Sequence, residues 1–359
     1  MTDGAPKKVL IVKMWALGDL LMATPILTAL KIAYPGCEIT WLTDKFYAEV
    51  LRGNPNIDHL IEIDSGTWTR LFRKAKLAQF WRESMKMRRE LQETGFDIVV
   101  NLIPEKWWTV FFLIAPERIA LYPTAKATWT RRWHTQDIVR KDDSSHALQH
   151  YVLAAKAAGC ASTDFRMTIG ETPAEAPFIT RFWQQHALSD TSPTVVLAPF
   201  GSFENRGWEP ELCAELAARL ADEYSAQVIV ISSPKYRKTA AEIAQLASRS
   251  SVISADETTV RDMIALIRRA DLAISVDSGP MHIAAALGKP FIALFGPGIH
   301  QKWFPLCTDG TLLYRTLRCA PCQSPTCANP VFRQCMKQIT VEDVLSAVKA
   351  RMGWPSALS

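Results

Sequence analysis

No stretch of the 359 residues reaches the ~18 consecutive apolar positions that a membrane-crossing helix needs. The nearest, Trp107–Ala115, is far too short. The opening, MTDGAPKKVLIVKMWALGD, lacks the basic-then-apolar order of a secretion signal. An acid, a proline and a glycine stand where the charges belong, and Lys13 interrupts the apolar run. The expected location is therefore cytoplasmic, with peripheral contact at the inner face of the cell membrane as a further option. In that compartment the eight Cys are expected to be reduced or metal-bound rather than paired in disulfides. No G-x-G-x-x-G follows the first apolar run, which argues against a dinucleotide-binding N-terminal half. Charge of one sign is also scarce. With 41 Lys and Arg against 36 Asp and Glu, the net +5 does not demand nucleic acid as a partner. It does permit an acidic ligand or an anionic membrane surface.

What is present is a hydrophobic fraction of 48 % and a length sufficient for two domains of ordinary size. Twelve Trp is a high count, and several stand beside basic residues. Short apolar, β-branched runs alternate with amphipathic ones. Lys8–Lys13, Glu38–Thr43, Ile57–Ile63, Asp97–Leu102 and Arg118–Tyr122 read as strands. A helix is expected from Asp19 to about Tyr34 and another over Leu148–Ala158. Glu171–Ala176 reads as a linker. The rhythm then starts again: strands at Thr194–Ala198, Gln227–Ser232 and Val252–Ser254, and helices at Phe178–Ala187, Lys238–Arg249 and Val260–Arg269. This is an α/β pattern with parallel sheets. The expected domains are 1–175 and 176–340, with a C-terminal helix in 341–359 that could pack back on the first.

The most telling segment is DLAISVDSGPMHIAAALGKPFIALFGPG, starting at Asp271. A buried strand, Leu272–Val276, ends at Asp277-Ser278-Gly279-Pro280. A short helix and a second strand, Phe291–Phe295, follow. Asp277 or Ser278 can cap the helix, and Pro280 suits its first turn. Amides left free there, with Gly279 allowing close approach, make an anion site. The plain alternative is an ordinary capped helix in an α/β core. Asp19, after Gly18, has two readings as well: helix capping, or a general base beyond a strand end. Arg206 stands in the loop Pro199–Trp208, either as a surface arginine or within reach of a phosphate. Thr69–Glu90 is basic with interspersed Phe and Trp. It reads as a solvated helix, or as a surface that docks on an anionic membrane or acceptor. Thr128–Trp133 is a second basic, aromatic patch. Cys319, Cys322, Cys327 and Cys335 form C-x2-C-x4-C-x7-C, a spacing that suits a structural zinc or iron site or packed free thiols. Cys37, Cys160, Cys213 and Cys307 are isolated.

Four segments together resemble the heptosyltransferases of glycosyltransferase family nine: KVLIVKMWALGDLLMATPIL, PFGSFENRGWEPE, SVDSGPMHIAAALGKPFIALFGP and the late cysteine run ending RQCMKQIT. The resemblance implies a GT-B fold, two facing Rossmann-like α/β domains, with the acceptor on the first and the nucleotide-sugar on the second. It implies transfer of heptose from ADP-heptose to a lipopolysaccharide inner-core sugar, with inversion and without a catalytic metal. Asp19 then matches the proposed base. Arg206 falls where the family usually has Lys, two residues before Trp208. Asp277, Ser278 and Gly279 match the helix-start nucleotide site, followed by Met281 and His282. Gly18 and Ser202 join the donor-binding set. The family often has an acid near the ribose after the strand ending at Ser232. Here the run is SSPKYRK, so the resemblance assigns no ribose contact. Other readings are a protein heptosyltransferase with a cysteine-bound metal, a nucleotide-binding protein without transferase activity, and a sugar-nucleotide epimerase.

Overall fold

Two six-stranded sheets, each wholly parallel, are built from chain segments that do not mix. A computed structural model describes residues 7–73, 77–104, 106–122, 129–139, 145–161 and 164–355. It divides into two compact units, Met1–Glu171 and Thr172–Ser359. In the first unit the strands are β1 (Lys8–Val12), β2 (Glu38–Asp44), β3 (His59–Ile63), β4 (Ile98–Asn101), β5 (Glu117–Tyr122) and β6 (Gln136–Val139), in the order β3-β2-β1-β4-β5-β6. In the second they are β7 (Thr194–Ala198), β8 (Gln227–Ile231), β9 (Val252–Ala255), β10 (Leu272–Val276), β11 (Phe291–Phe295) and β12 (Gly310–Tyr314), in the order β12-β11-β10-β7-β8-β9. Read from its own first strand, each sheet has the doubly wound order 3-2-1-4-5-6. That order places a topological switch point between β1 and β4 and another between β7 and β10.

The runs read as strands are strands because helices cover both faces. All five residues of β7, β8, β10 and β11 are buried. A strand buried on two faces is a continuous apolar run rather than an alternating one. The edge strands β6 and β12 escape the sequence reading for the opposite reason: β12 is only partly buried, and its Gly310-Thr311 start is weakly apolar.

Four helical expectations change in detail. The helix expected from Asp19 to Tyr34 is two: α1 (Leu17–Ala23) and α2 (Pro25–Ala33). Pro25 has no amide to continue the ladder, and the Thr24 hydroxyl donates to the Leu21 carbonyl at 2.7 Å. The basic stretch likewise holds α3 (Ser65–Arg73) and α4 (Leu77–Thr94). Within the supposed linker, Glu175 already opens the helix Glu175–Gln185 and is buried against Arg261 and Arg268, at 3.0 and 2.9 Å. The C-terminal helix, Val341–Met352, puts Val341, Val344, Leu345 and Val348 into the core of the second unit. Among the described residues no helix is long and apolar enough to cross a membrane.

Candidate functional site

In open parallel sheets, ligands bind beyond the carboxyl ends of the strands at the switch point. In the second unit two loops meet there, one leaving β7 and one leaving β10. The β10 turn runs through Asp277 into the helix Gly279–Ala286, with Ser278 at its N-cap. Neither expected cap forms. The Ser278 hydroxyl turns back to the Val276 carbonyl at 3.2 Å and makes no side-chain cap to the helix-start amides. The first turn therefore keeps its amides for another acceptor.

The β7 loop brings Arg206 to that turn. Its Nη1 lies 3.1 Å from Oδ2 of Asp277, with the two side chains 19 % and 7 % exposed. The contact is an ion pair whose geometry is not that of a hydrogen bond; among the described residues that oxygen accepts none. Burial pushes the Asp277 carboxyl above its ordinary range, and the Arg206 charge opposes this only in part. Two glycines make room. A Cβ on Gly201 would meet Arg206 Cβ at 2.6 Å, and one on Gly298 would meet Asp277 Oδ2 at 2.1 Å.

The loop is held from behind. Trp208 is fully buried; its indole donates to the Ile339 carbonyl at 3.0 Å, and its amide to Pro199 O at 3.0 Å. Asn205 donates to Ser324 O at 2.8 Å, and Arg333 pairs with Glu209 at 2.7 Å. The segment carrying the late cysteines is thus the backing of the Arg206 loop. Sequence spacing gave no sign of this, because the partners are more than a hundred residues apart. Ser202 is exposed in the same loop, whereas Met281 and His282 are buried in the helix that follows the turn. The run SSPKYRK supplies no acid near the loop; instead Tyr236 stacks on Phe200, with ring centroids 4.7 Å apart and planes at 6°.

The expected zinc or iron site is not supported. Among the described residues no three His, Cys, Asp or Glu side chains come together so as to hold a metal ion. Cys319, Cys322, Cys327 and Cys335 instead stand around a cavity of about 90 Å³. Two of their sulfurs accept hydrogen bonds, Cys319 from Asn329 at 3.2 Å and Cys327 from the Arg333 amide at 3.4 Å. All eight cysteines are free thiols.

In the first unit the corresponding switch point carries Asp19. It sits in the first turn of α1, beyond the end of β1, with Gly18 beside it. Lys13 continues from β1 and places Nζ 3.1 Å from Asp19 Oδ2. Lys13 is buried and the Asp19 side chain 27 % exposed, so the cation is fixed from below and the carboxylate faces outward. Ala16, just before α1, has φ +69°, a conformation that costs an alanine energy and aims the turn. Trp15, Trp68, Trp108, Phe80 and Phe112 form edge-to-face and tilted ring contacts alongside. These rings explain part of the tryptophan count. Of the second aromatic patch, Thr128 lies outside the described residues, while Trp133 is exposed on a short helical turn.

Two doubly wound units, each with polar residues at its switch point, make up a GT-B fold. The sequence narrows the class: "Glycosyltransferase family 9 (heptosyltransferase)" matches residues 84–332, and the chain belongs to that family. It is similar to the lipopolysaccharide core heptosyltransferase OpsX of Haemophilus influenzae, 25 % identical over 81 % of this chain and 79 % of that protein. Among solved structures, a family 9 glycosyltransferase from Veillonella parvula superposes with a TM-score of 0.81 at 22 % identity, covering 97 % of this chain and 98 % of the other. The E. coli heptosyltransferase WaaC with ADP-2-deoxy-2-fluoro heptose gives 0.70 at 21 % identity, over 96 % and 99 %.

Proposed function

We propose that this enzyme transfers a heptose from ADP-heptose to an inner-core sugar of lipopolysaccharide, inverting the anomeric carbon. The observation that carries the reading is the union of one guanidinium, Arg206, with an uncapped helix start at the β7/β10 switch point. A departing diphosphate gains negative charge as its bond to the sugar breaks. Fixed donors aimed at that charge lower the barrier most. Arg206 grips phosphate oxygens as a fork, and the amides around Ser278 and Gly279 complete the cradle. These groups meet the charge without a metal.

In this reading Asp19 takes the proton from the acceptor hydroxyl. The acceptor oxygen then forms its bond to the anomeric carbon on the face opposite the diphosphate. The electron pair of the breaking bond leaves with ADP. The first unit accordingly carries the acceptor and the second the donor. Asp277 does not touch phosphate, since like charges repel. Its under-bonded Oδ2 suits a sugar hydroxyl donor, because a buried carboxylate oxygen seeks a hydrogen bond.

Titration of the purified protein with a panel of nucleotide-diphosphate sugars, followed by transfer to lipopolysaccharide core acceptors, tests this. ADP-heptose is expected to bind best and to be the donor consumed. Preference for a uridine- or guanosine-linked sugar, or consumption of ADP-heptose with no product on any core acceptor, overturns it.

A further inference from the structure

We propose that the outer face of α4 docks on an anionic lipid bilayer. The helix is amphipathic in an unusual way. Phe80, Ser84 and Leu91 face inward and are buried. Trp81, Arg82, Met85, Lys86 and Arg89 point out, on an arc of roughly 140° at ~100° per residue. Trp81 is 54 % and Met85 44 % exposed, although both are large and apolar. Trp81 rests one edge on Phe111, with ring centroids 5.2 Å apart, so its orientation is set while half its surface meets solvent. Arg82 and Lys86 flank the pair with side chains 74 % and 72 % exposed. Their acidic neighbours, Glu83 and Glu90, lie at the border of the arc and reach them only at 3.6 and 3.8 Å.

Charge places the same stretch apart from the remainder of the protein. Thr69–Glu90 holds eight Lys and Arg against two Glu, a net +6, where the whole chain sums to +5. The mild overall charge therefore conceals one strongly basic region. Cations alone would suit any polyanion. Trp81 and Met85 among them select further, because a half-exposed apolar ring gains only where hydrocarbon receives it. An anionic leaflet offers both in one plane: negative headgroups for Arg82, Lys86 and Arg89, and the acyl boundary for Trp81 and Met85. The surface belongs to the first unit alone and does not depend on the donor chemistry proposed above.

Co-sedimentation of the full chain with phosphatidylcholine vesicles, with and without phosphatidylglycerol, reads the interaction directly. The chain is expected to sediment with the anionic vesicles, to stay in solution with the neutral ones, and to be released by salt. Exchanging Arg82, Lys86 and Arg89 for Gln should lower partitioning about a hundredfold, at roughly fivefold per charge. Trp81→Ser with Met85→Ser should weaken it as well, and Arg219→Gln with Arg249→Gln, on the second unit, should leave it unchanged. All exchanged residues are exposed apart from the half-buried Arg219, and the salt response of the unaltered chain is an arm that needs no variant. Equal binding to neutral vesicles, undiminished binding by the triple variant, or binding that appears only when an acceptor glycolipid is embedded would overturn the proposal.

Discussion

Arg206 Nη1 lies 3.1 Å from Asp277 Oδ2, although the two residues leave different strands and stand 71 positions apart. The carboxylate holds the guanidinium at the helix start, where a diphosphate would meet it. Phe203 also lies beneath the guanidinium, with its ring centroid 5.5 Å from Cζ, but Asp277 is the charge that faces it. Asp277 is thus read as a positioning residue for the cation.

Arg206→Ala is expected to lower kcat/KM by about 10²–10³-fold, the range for loss of one preorganised donor to a developing charge. Arg206→Lys should recover part of this, since a point charge replaces a fork. Steady-state kinetics and donor titration on both variants check it; an alanine variant with wild-type kinetics removes Arg206 from the mechanism.

Asp277→Asn should separate stability from activity. The folded-state carboxyl titrates above its unfolded value because burial outweighs Arg206. Its contribution to stability is therefore full at acid pH, below the unfolded value, and is lost as pH rises through the folded one. At neutral pH the asparagine variant should melt no lower than the wild type, and any advantage should shrink on acidification. Donor affinity should fall about tenfold as Arg206 loses its anchor. Thermal melts across pH, paired with donor titration, give both readouts.

Asp19→Asn should reduce turnover by about 10²–10⁴-fold, the usual weight of a positioned acid–base group, with donor binding preserved. Lys13→Met removes the buried cation that orients Asp19 at 3.1 Å. It should lower kcat roughly tenfold, with little change in donor KM. Equal losses in donor binding would point instead to a collapsed first unit.

Gly298→Ala adds a methyl group where the Asp277 carboxylate already stands, 2.1 Å away. The carboxylate must shift and release Arg206. Weaker donor binding with a nearly unchanged melting temperature is the expected result of donor titration and calorimetry.

His134 predicts the acid behaviour of the first unit. Burial, opposed in part by its bond to the Thr130 carbonyl, holds its pKa down at about 4, against an ordinary 6.5. The neutral ring lies between Tyr122 and Asn101, at 3.1 and 3.3 Å. Stability from this group is complete above pH 6.5 and declines as pH falls toward 4, because the unfolded chain takes the proton first. Urea unfolding from pH 7 to 4 should show a steeper loss in the wild type than in His134→Gln.

The alternation of short buried runs with amphipathic ones was enough to expect two α/β halves, and the β10–turn–helix–β11 unit was legible almost residue for residue. The physics there is local: β-branched runs, a glycine–proline turn and a helix stop all act within a few positions. Asp19 and Arg206 could be singled out in the same way, as charged residues just beyond strand ends. Their partners could not. Lys13 meets Asp19 because α1 turns back over the end of β1. Arg206 meets Asp277 because β7 and β10 are neighbours in the sheet, and strand order follows from how helices cover two faces of a buried core. Cysteine spacing could not choose between a metal site and packed thiols for the same reason. It counts residues between thiols but says nothing of where they point, and the fold turned these four around a cavity and set their segment behind the Arg206 loop. Composition and periodicity therefore determined the fold class, while tertiary packing decided which charges stand together.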